Sequence, residues 1–187
     1  MTILLGADHR GFHLKEKIKP WLIEQGHQVI DVGNTELDPE DDYPVISFAL
    51  ADALVSTEEK TLGVLLCGSG VGAAIAANKV AGIRCGLGYT TEQVESARHD
   101  DEMNILALAA DYISEEVAKE LITTFIATEV SVVHSLLSGL HCSSYITQYQ
   151  SQLAKQRGAP RGVSPVLLFK CEFTIPFPWL ISLVNAT

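Results

Sequence analysis

A cysteine stands directly before a glycine-rich turn in segment 64–72, which reads Val-Leu-Leu-Cys-Gly-Ser-Gly-Val-Gly. The apolar residues predict the end of a buried parallel strand, and the alanine-rich run after the turn predicts a helix. Ligands bind outside the carboxyl ends of such strands, and the backbone N–H groups of a glycine turn entering a helix bind anions. The segment therefore predicts the Cys67 thiol beside an anion hole, a setting for proton abstraction next to a carbonyl, with the thiolate favoured by the helix N-terminus.

Other readings of this turn are weaker or of another class. A buried cysteine is often only a small hydrophobic residue. The dinucleotide fingerprint G-x-G-x-x-G is not met, because Ala73 follows Gly72. No P-loop lysine follows either, and a dinucleotide-binding oxidoreductase is therefore disfavoured.

Further polar residues lie at predicted strand ends or in adjacent loops, and we expect these loops to meet at one edge of a parallel sheet. Each has a plainer reading: Asp8 as a turn residue, Tyr43 as a packed aromatic and His99 as a solvated histidine at a helix end. The candidates outside the glycine turn are Asp8, His9, Tyr43, His99, Asp100 and Asn104.

Strands and helices alternate along the first two thirds of the chain, which predicts an α/β fold with a parallel sheet wrapped by helices. The predicted strands cover residues 3–6, 28–32, 61–67, 83–89 and 105–109. The predicted helices cover 13–25, 45–56, 72–80, 91–98 and 115–127.

Composition limits the function classes. The net charge of −10 argues against nucleic acid as the main partner. The four cysteines have no zinc-site spacing, and we expect reduced thiols in a cytoplasmic protein with no bound metal. Neither a signal peptide nor a membrane-spanning run is recognisable, so no membrane association is expected.

The chain changes character near residue 129. Residues 1–129 carry 9 Lys and Arg against 22 Asp and Glu, whereas residues 130–187 carry 4 against 1. The strand–helix alternation also ends there, and the last stretch is apolar and interrupted by prolines. We therefore predict one domain over 1–129 and an atypical extension over 130–187 that is not part of the working core.

The motifs together resemble the ribose-5-phosphate isomerase B family, which also includes the galactose-6-phosphate isomerase subunits. The resemblance covers roughly residues 1–128, in order and at similar spacing. The matching segments are GADHRGF at 6–12, LK at 14–15, DVG at 31–33, DYP at 42–44, CGSGVG at 67–72, AANK at 76–79, GIR at 82–84 and NILAL at 104–108.

The resemblance implies a Rossmann-like three-layer sandwich with a five-stranded parallel sheet. It also implies a homodimer or tetramer with active sites between subunits, and conversion of ribose 5-phosphate to ribulose 5-phosphate without metal or other cofactor. Cys67 would be the base, and the turn residues Gly68, Ser69, Gly70, Val71 and Gly72 would hold the enediolate oxygen. Asp8 and His9 would contact sugar hydroxyls and phosphate, Tyr43 would line the sugar site, His99 would open the furanose ring, and Asn104 would lie nearby.

Two departures from the family pattern leave alternatives open. His99 stands five residues before Asn104, where the family spacing is four, so Asp100 competes with His99 for the ring-opening position. The C-terminal arginines that bind phosphate in the family have no recognisable match after residue 130. A hexose 6-phosphate isomerase and a catalytically weak sugar-phosphate binder therefore remain alternatives.

Overall fold

Strands and helices alternate along the part of the chain that the computed structural model describes, residues 1–57 and 60–131. This confirms the predicted α/β organisation. The elements are β1 (Thr2–Ala7), α1 (Phe12–Glu24), β2 (Gln28–Asp31), α2 (Tyr43–Val55), β3 (Thr61–Cys67), α3 (Val71–Ala77), β4 (Cys85–Leu87), α4 (Thr91–Asp101), β5 (Ile105–Ala109) and α5 (Glu115–Ala127).

The five strands form one sheet in the order β2-β1-β3-β5-β4, and every pair is parallel. Side chains alternate between its faces, so each buried strand contributes to two cores. Helices α1, α4 and α5 cover one face, and α2 and α3 cover the other. The result is the predicted Rossmann-like three-layer sandwich with a five-stranded parallel sheet.

The strand order reverses at β1 and β3, because the chain leaves β1 toward one edge of the sheet and β3 toward the other. Helix α1 packs on one face and α3 on the opposite face, so the helices following these two neighbouring strands diverge. A crevice outside the carboxyl ends of β1 and β3 is the usual consequence of such a reversal, and it is where open α/β sheets bind ligands.

Some element boundaries differ from those predicted. The predicted strand 83–89 is only Cys85–Leu87, and the predicted helix 72–80 is only Val71–Ala77. Helix α4 continues to Asp101 and ends where Glu102 adopts a left-handed conformation (φ 52°). A non-glycine residue rarely takes this conformation, so the sequence carries no clear stop signal there.

A buried lysine connects α1 to the end of β2. Lys15 is fully buried, and its Nζ lies 2.8 Å from Asp31 Oδ2, with further contacts to the Asn34 carbonyl and, at 5.0 Å, the ring of Phe12. The partly exposed Lys19 donates to the same Asp31 oxygen at 2.9 Å. Burial alone would raise the pKa of Asp31, but hydrogen bonds from the two lysines hold it below its usual range.

The predicted extension over residues 130–187 lies almost entirely outside the described residues. The prediction that this extension is not part of the working core therefore concerns residues that the structure does not describe. Within residues 1–57 and 60–131, no helix has the length and apolar character needed to span a bilayer.

We expect Lys15→Met to lower the free energy of unfolding by about 3 kcal/mol, because it removes the buried partner of a buried carboxylate. Lys19→Met is the matched control: it deletes the same contact to the same oxygen from a more exposed position and should cost less than about 1 kcal/mol. Urea unfolding followed by circular dichroism measures both. Equal losses of unfolding free energy in the two variants would show that the burial of Lys15 does not determine its contribution to stability.

Candidate active site

Cys67 and Asp8 lie side by side at the carboxyl ends of β3 and β1. The register places Ala7 opposite Leu66, and the Asp8 N–H donates to the Leu66 carbonyl at 3.2 Å. Cys67 is 7% exposed, and its thiol lies close enough to the Asp8 carboxylate to interact with it electrostatically. The two residues separated by 59 positions in sequence are thus brought together by strand pairing alone.

The Asp8 carboxylate is fixed by the turn that follows it. Its Oδ1 accepts the N–H of Arg10 at 3.0 Å and the N–H of Gly11 at 2.9 Å, and the residue is 4% exposed. Gly11 packs so closely on β3 that a Cβ there would overlap the Leu66 carbonyl. Only glycine permits this approach, so the turn holds Asp8 in one orientation toward the thiol.

The thiol is in an environment that disfavours its charged form. Burial raises the pKa of Cys67 most, and the hydrogen bond and charge of Asp8 raise it further. Hydrogen bonds from the N–H groups of Gly70 and Ala73 act in the opposite direction but are outweighed. The helix N-terminus thus acts in the predicted direction, but burial and Asp8 outweigh it, so the net pKa of the Cys67 thiol lies above its usual value.

The glycine turn and Tyr43 form the wall next to the thiol. Gly70 takes the left-handed conformation (φ 72°), which turns the chain from β3 into α3 and brings its N–H toward Cys67. The ring of Tyr43, at the start of α2, packs against Gly72, where a Cβ would come within 2.9 Å of it. Ser69 and Val71 are exposed.

His9 is held by an acidic loop that follows β2. Its backbone N–H donates to Asp41 Oδ1 at 2.8 Å, and its ring Nδ1 lies 2.8 Å from the same oxygen. Asn34 Nδ2 donates to the other Asp41 oxygen at 3.0 Å. The hydrogen bond to Asp41, aided by the charge of Asp8, raises the pKa of His9 above its usual value and favours the imidazolium.

His99, Asp100 and Asn104 lie near the amino ends of the parallel strands, whereas Cys67 and Asp8 follow the carboxyl ends. The expectation that all candidate loops meet at one end of the strands is therefore wrong for a single chain. The Asn104 carbonyl accepts the N–H of Gly63, which precedes Cys67 by four residues along β3, a distance of about 13 Å. His99 and Asp100 are in the last turn of α4, which runs from the carboxyl edge back to the amino edge. In addition, the Asn104 amide is engaged with the backbone of Gly82 and Arg84.

Sequence reasoning missed three residues that position this site. Asp41 holds His9, while Arg10 lies against Gly68 and forms an ion pair with Asp111 from the turn after β5. The partners are separated by 32 and 101 residues, and no local spacing rule connects residues so far apart. The only available signal was the density of charged residues in the loops that follow the predicted strands.

The described residues contain no group of three or more His, Cys, Asp or Glu side chains arranged to hold a metal ion. What the geometry brings together is a buried thiol, a carboxylate, backbone amides, an imidazole of raised pKa and an aromatic wall. These groups are suited to moving a proton on a small polar molecule.

Comparison with known proteins gives a consistent picture. A family model described as Ribose/Galactose Isomerase matches residues 3–135. A probable ribose-5-phosphate isomerase B from Mycoplasma pneumoniae is 39% identical over 124 residues, which is 66% of this chain and 81% of the relative.

Solved structures agree with these matches. Ribose-5-phosphate isomerase B from Clostridium thermocellum has a TM-score of 0.72 at 32% identity, covering 80% of this chain and 99% of that one. The enzyme from Mycoplasma genitalium, solved with bound ribulose-5-phosphate, has a TM-score of 0.69 at 30% identity, covering 80% of this chain and 96% of that one.

We expect Asp8→Asn to shift the alkylation of Cys67 to lower pH. Iodoacetamide reacts with the thiolate, and removing the adjacent negative charge lowers the thiol pKa while the asparagine oxygen still accepts both backbone N–H groups. Peptide-resolved mass spectrometry across pH 6–11 follows Cys67 separately from the other cysteines. Asp52→Asn, an exposed change on α2, is the control and should leave the profile unchanged. An unshifted profile in Asp8→Asn would show that the carboxylate does not govern the thiol.

Proposed function

Because the chain belongs to the ribose/galactose isomerase family, we propose that it interconverts ribose 5-phosphate and ribulose 5-phosphate through an enediolate. The observation that carries this proposal is the pairing of Cys67 with Asp8 beside the glycine turn, at the reversal of strand order. The names of the relatives and the bound ribulose-5-phosphate of the Mycoplasma genitalium enzyme support the choice of a pentose phosphate.

In the proposed reaction, Cys67 moves one proton between neighbouring carbons. After the furanose ring opens, the thiolate takes the proton from C2 of the aldehyde, and the electron pair passes into the carbonyl to give an enediolate. The Cys67 thiol then returns the proton to C1, while the proton of the C2 hydroxyl passes to the C1 oxygen. A carbonyl is thus left at C2 and a hydroxyl at C1 of the ketose. The step is a proton shift with no net oxidation, so it balances without a redox co-reactant.

The other groups have roles set by where they lie. The turn from Gly68 to Gly72, with the Ser69 hydroxyl, would stabilise the enediolate oxygen, and Asp8 would contact a sugar hydroxyl as well as the thiol. Tyr43 would line the sugar site, and His9 would contact the substrate with the ring orientation that Asp41 imposes. Fixed donors and acceptors of this kind lower the barrier because they need no rearrangement during the reaction.

We infer that a second copy of the chain completes this site. His99, with Asp100 and Asn104 near it, lies too far from Cys67 of its own chain to act on the same sugar. Apolar side chains are exposed along α2, which begins at Tyr43, and along α3, which packs beside it, and exposed apolar surface of this kind marks an interaction surface. They are Val45, Phe48, Val55, Val71 and Ile75, which are 40–66% exposed. We therefore propose a homodimer in which each site combines Cys67 of one chain with His99 of the other.

Purified full-length protein should convert ribose 5-phosphate to ribulose 5-phosphate, and Cys67→Ala should lower kcat by at least about 10²-fold because the base is removed. Cys85→Ala, a change at the other cysteine that the structure describes, is the matched control and should retain activity. Calorimetry should show that Cys67→Ala still binds ribose 5-phosphate.

The outcomes separate the alternatives. Binding without turnover in the wild type would indicate a sugar-phosphate binder, and Cys67→Ala would then change little. Turnover of galactose 6-phosphate in place of ribose 5-phosphate would indicate a hexose 6-phosphate isomerase.

Mixed dimers test the shared site. A dimer of one Cys67→Ala chain and one His99→Ala chain, isolated with two affinity tags, should have about half the wild-type activity, because one of its two sites is intact. A dimer of a wild-type chain with a chain carrying both substitutions should be inactive. If both residues acted from the same chain, the two results would be reversed.

A further inference from the structure

Arg10 places a guanidinium group on the glycine turn. Its Nε and Cζ lie where a side chain at Gly68 would otherwise stand, and its Nη2 donates to the carboxylate of Asp111. The side chain of Arg10 remains 54% exposed. The guanidinium cation of Arg10 therefore lies at the mouth of the site. It is next to Gly68, the residue after Cys67, and it is reachable from solvent.

The partner of Arg10 is fixed to the same point by the backbone. The Asp111 N–H donates to the Gly68 carbonyl at 3.1 Å, and the Ala110 N–H donates to the Cys67 carbonyl at 2.9 Å. The turns after β1, β3 and β5 thus converge on Gly68. Asp111 is therefore placed to hold the guanidinium of Arg10 beside Gly68.

The other arginines in the described part of the chain are committed elsewhere. Arg84 pairs with Glu102 at 2.8 Å near Asn104, at the opposite edge of the sheet. Arg98 is buried and donates to the Met103 carbonyl at 2.8 Å. Within residues 1–57 and 60–131, Arg10 is thus the arginine that lies at the Cys67 site.

We propose that Arg10 is the phosphate-binding side chain of this site and that Asp111 orients it. The inference rests on the proposed function, since it names the group that receives the substrate's phosphate. A guanidinium has five N–H donors in a planar fork, so the contact to Asp111 leaves donors for a phosphate dianion. The carboxylate of Asp111 is the charged group that contacts Arg10, and the phosphate would displace part of this contact.

A purely structural reading of the same pair makes a different prediction. If Arg10 served only to neutralise Asp111, its removal would weaken phosphate binding by leaving an unpaired carboxylate beside the site. In that case Asp111→Asn added to Arg10→Gln would restore binding. If Arg10 contacts the phosphate, the double variant stays weak.

The experiment titrates inorganic phosphate into the full-length protein by calorimetry and by backbone amide chemical shifts, with ribose 5-phosphate kinetics in parallel. The variants are Arg10→Gln, Arg10→Lys and Arg10→Gln with Asp111→Asn. Lys17→Gln removes one positive charge from an exposed position on α1 and is the control. Thermal melting confirms that each variant is folded, as expected for a half-exposed residue.

Arg10→Gln should raise both the Kd for phosphate and the KM for ribose 5-phosphate by at least about tenfold, with a smaller effect on kcat. Arg10→Lys should retain part of the affinity, and the double variant should remain as weak as Arg10→Gln. Unchanged phosphate affinity in Arg10→Gln, full recovery in the double variant, or no phosphate binding by the wild type would overturn the proposal. A wild type that binds phosphate through Arg10 but does not isomerise ribose 5-phosphate would refute the proposed function and leave this inference intact.

Discussion

The candidate site depends on the parallel pairing of β1 with β3. That register sets Ala7 beside Leu66, so the next residue of each strand, Asp8 and Cys67, must meet. A slip of one residue in either strand would turn its side chains to the opposite face and separate the carboxylate from the thiol. Because α1 and α3 leave toward opposite faces, the space outside these two residues stays open to a ligand.

A second set of contacts links the buried core to the imidazole of His9. Lys15 is buried against Asp31 and also contacts the Asn34 carbonyl, and the Asn34 amide contacts Asp41, which holds His9. The acidic loop after β2 has little apolar surface to anchor it, so these polar contacts fix its position. Burying the charged Lys15 side chain is costly unless its ammonium group has partners. Because the Asn34 carbonyl is one of these partners, the contact fixes the start of this loop.

Much of the fold could be predicted from the sequence, because hydrophobic runs alternating with helical periods specify a parallel sheet whatever the strand order. The bounds of β3, β5 and α5 were predicted to the residue. The site was predicted less completely. Residues that precede a strand lie at the opposite edge from residues that follow one, and Asn104 was grouped with Asp8 although it precedes β5. The pairs His9–Asp41 and Arg10–Asp111 depend on strand order, which local patterns do not contain.

A raised thiol pKa is consistent with a role of Cys67 as a catalytic base, although it lowers the fraction of the thiol that is ionised. A carbon acid next to a carbonyl gives up its proton reluctantly, and a base of higher pKa accepts that proton with a larger driving force. The cost is that less of Cys67 is ionised near neutral pH. Asp8 contributes to both effects, because its charge and its interaction with the protonated thiol both disfavour the thiolate. A substrate hydroxyl that engaged Asp8 would weaken its hold on the thiol, and ionisation of Cys67 would then be coupled to occupancy of the site.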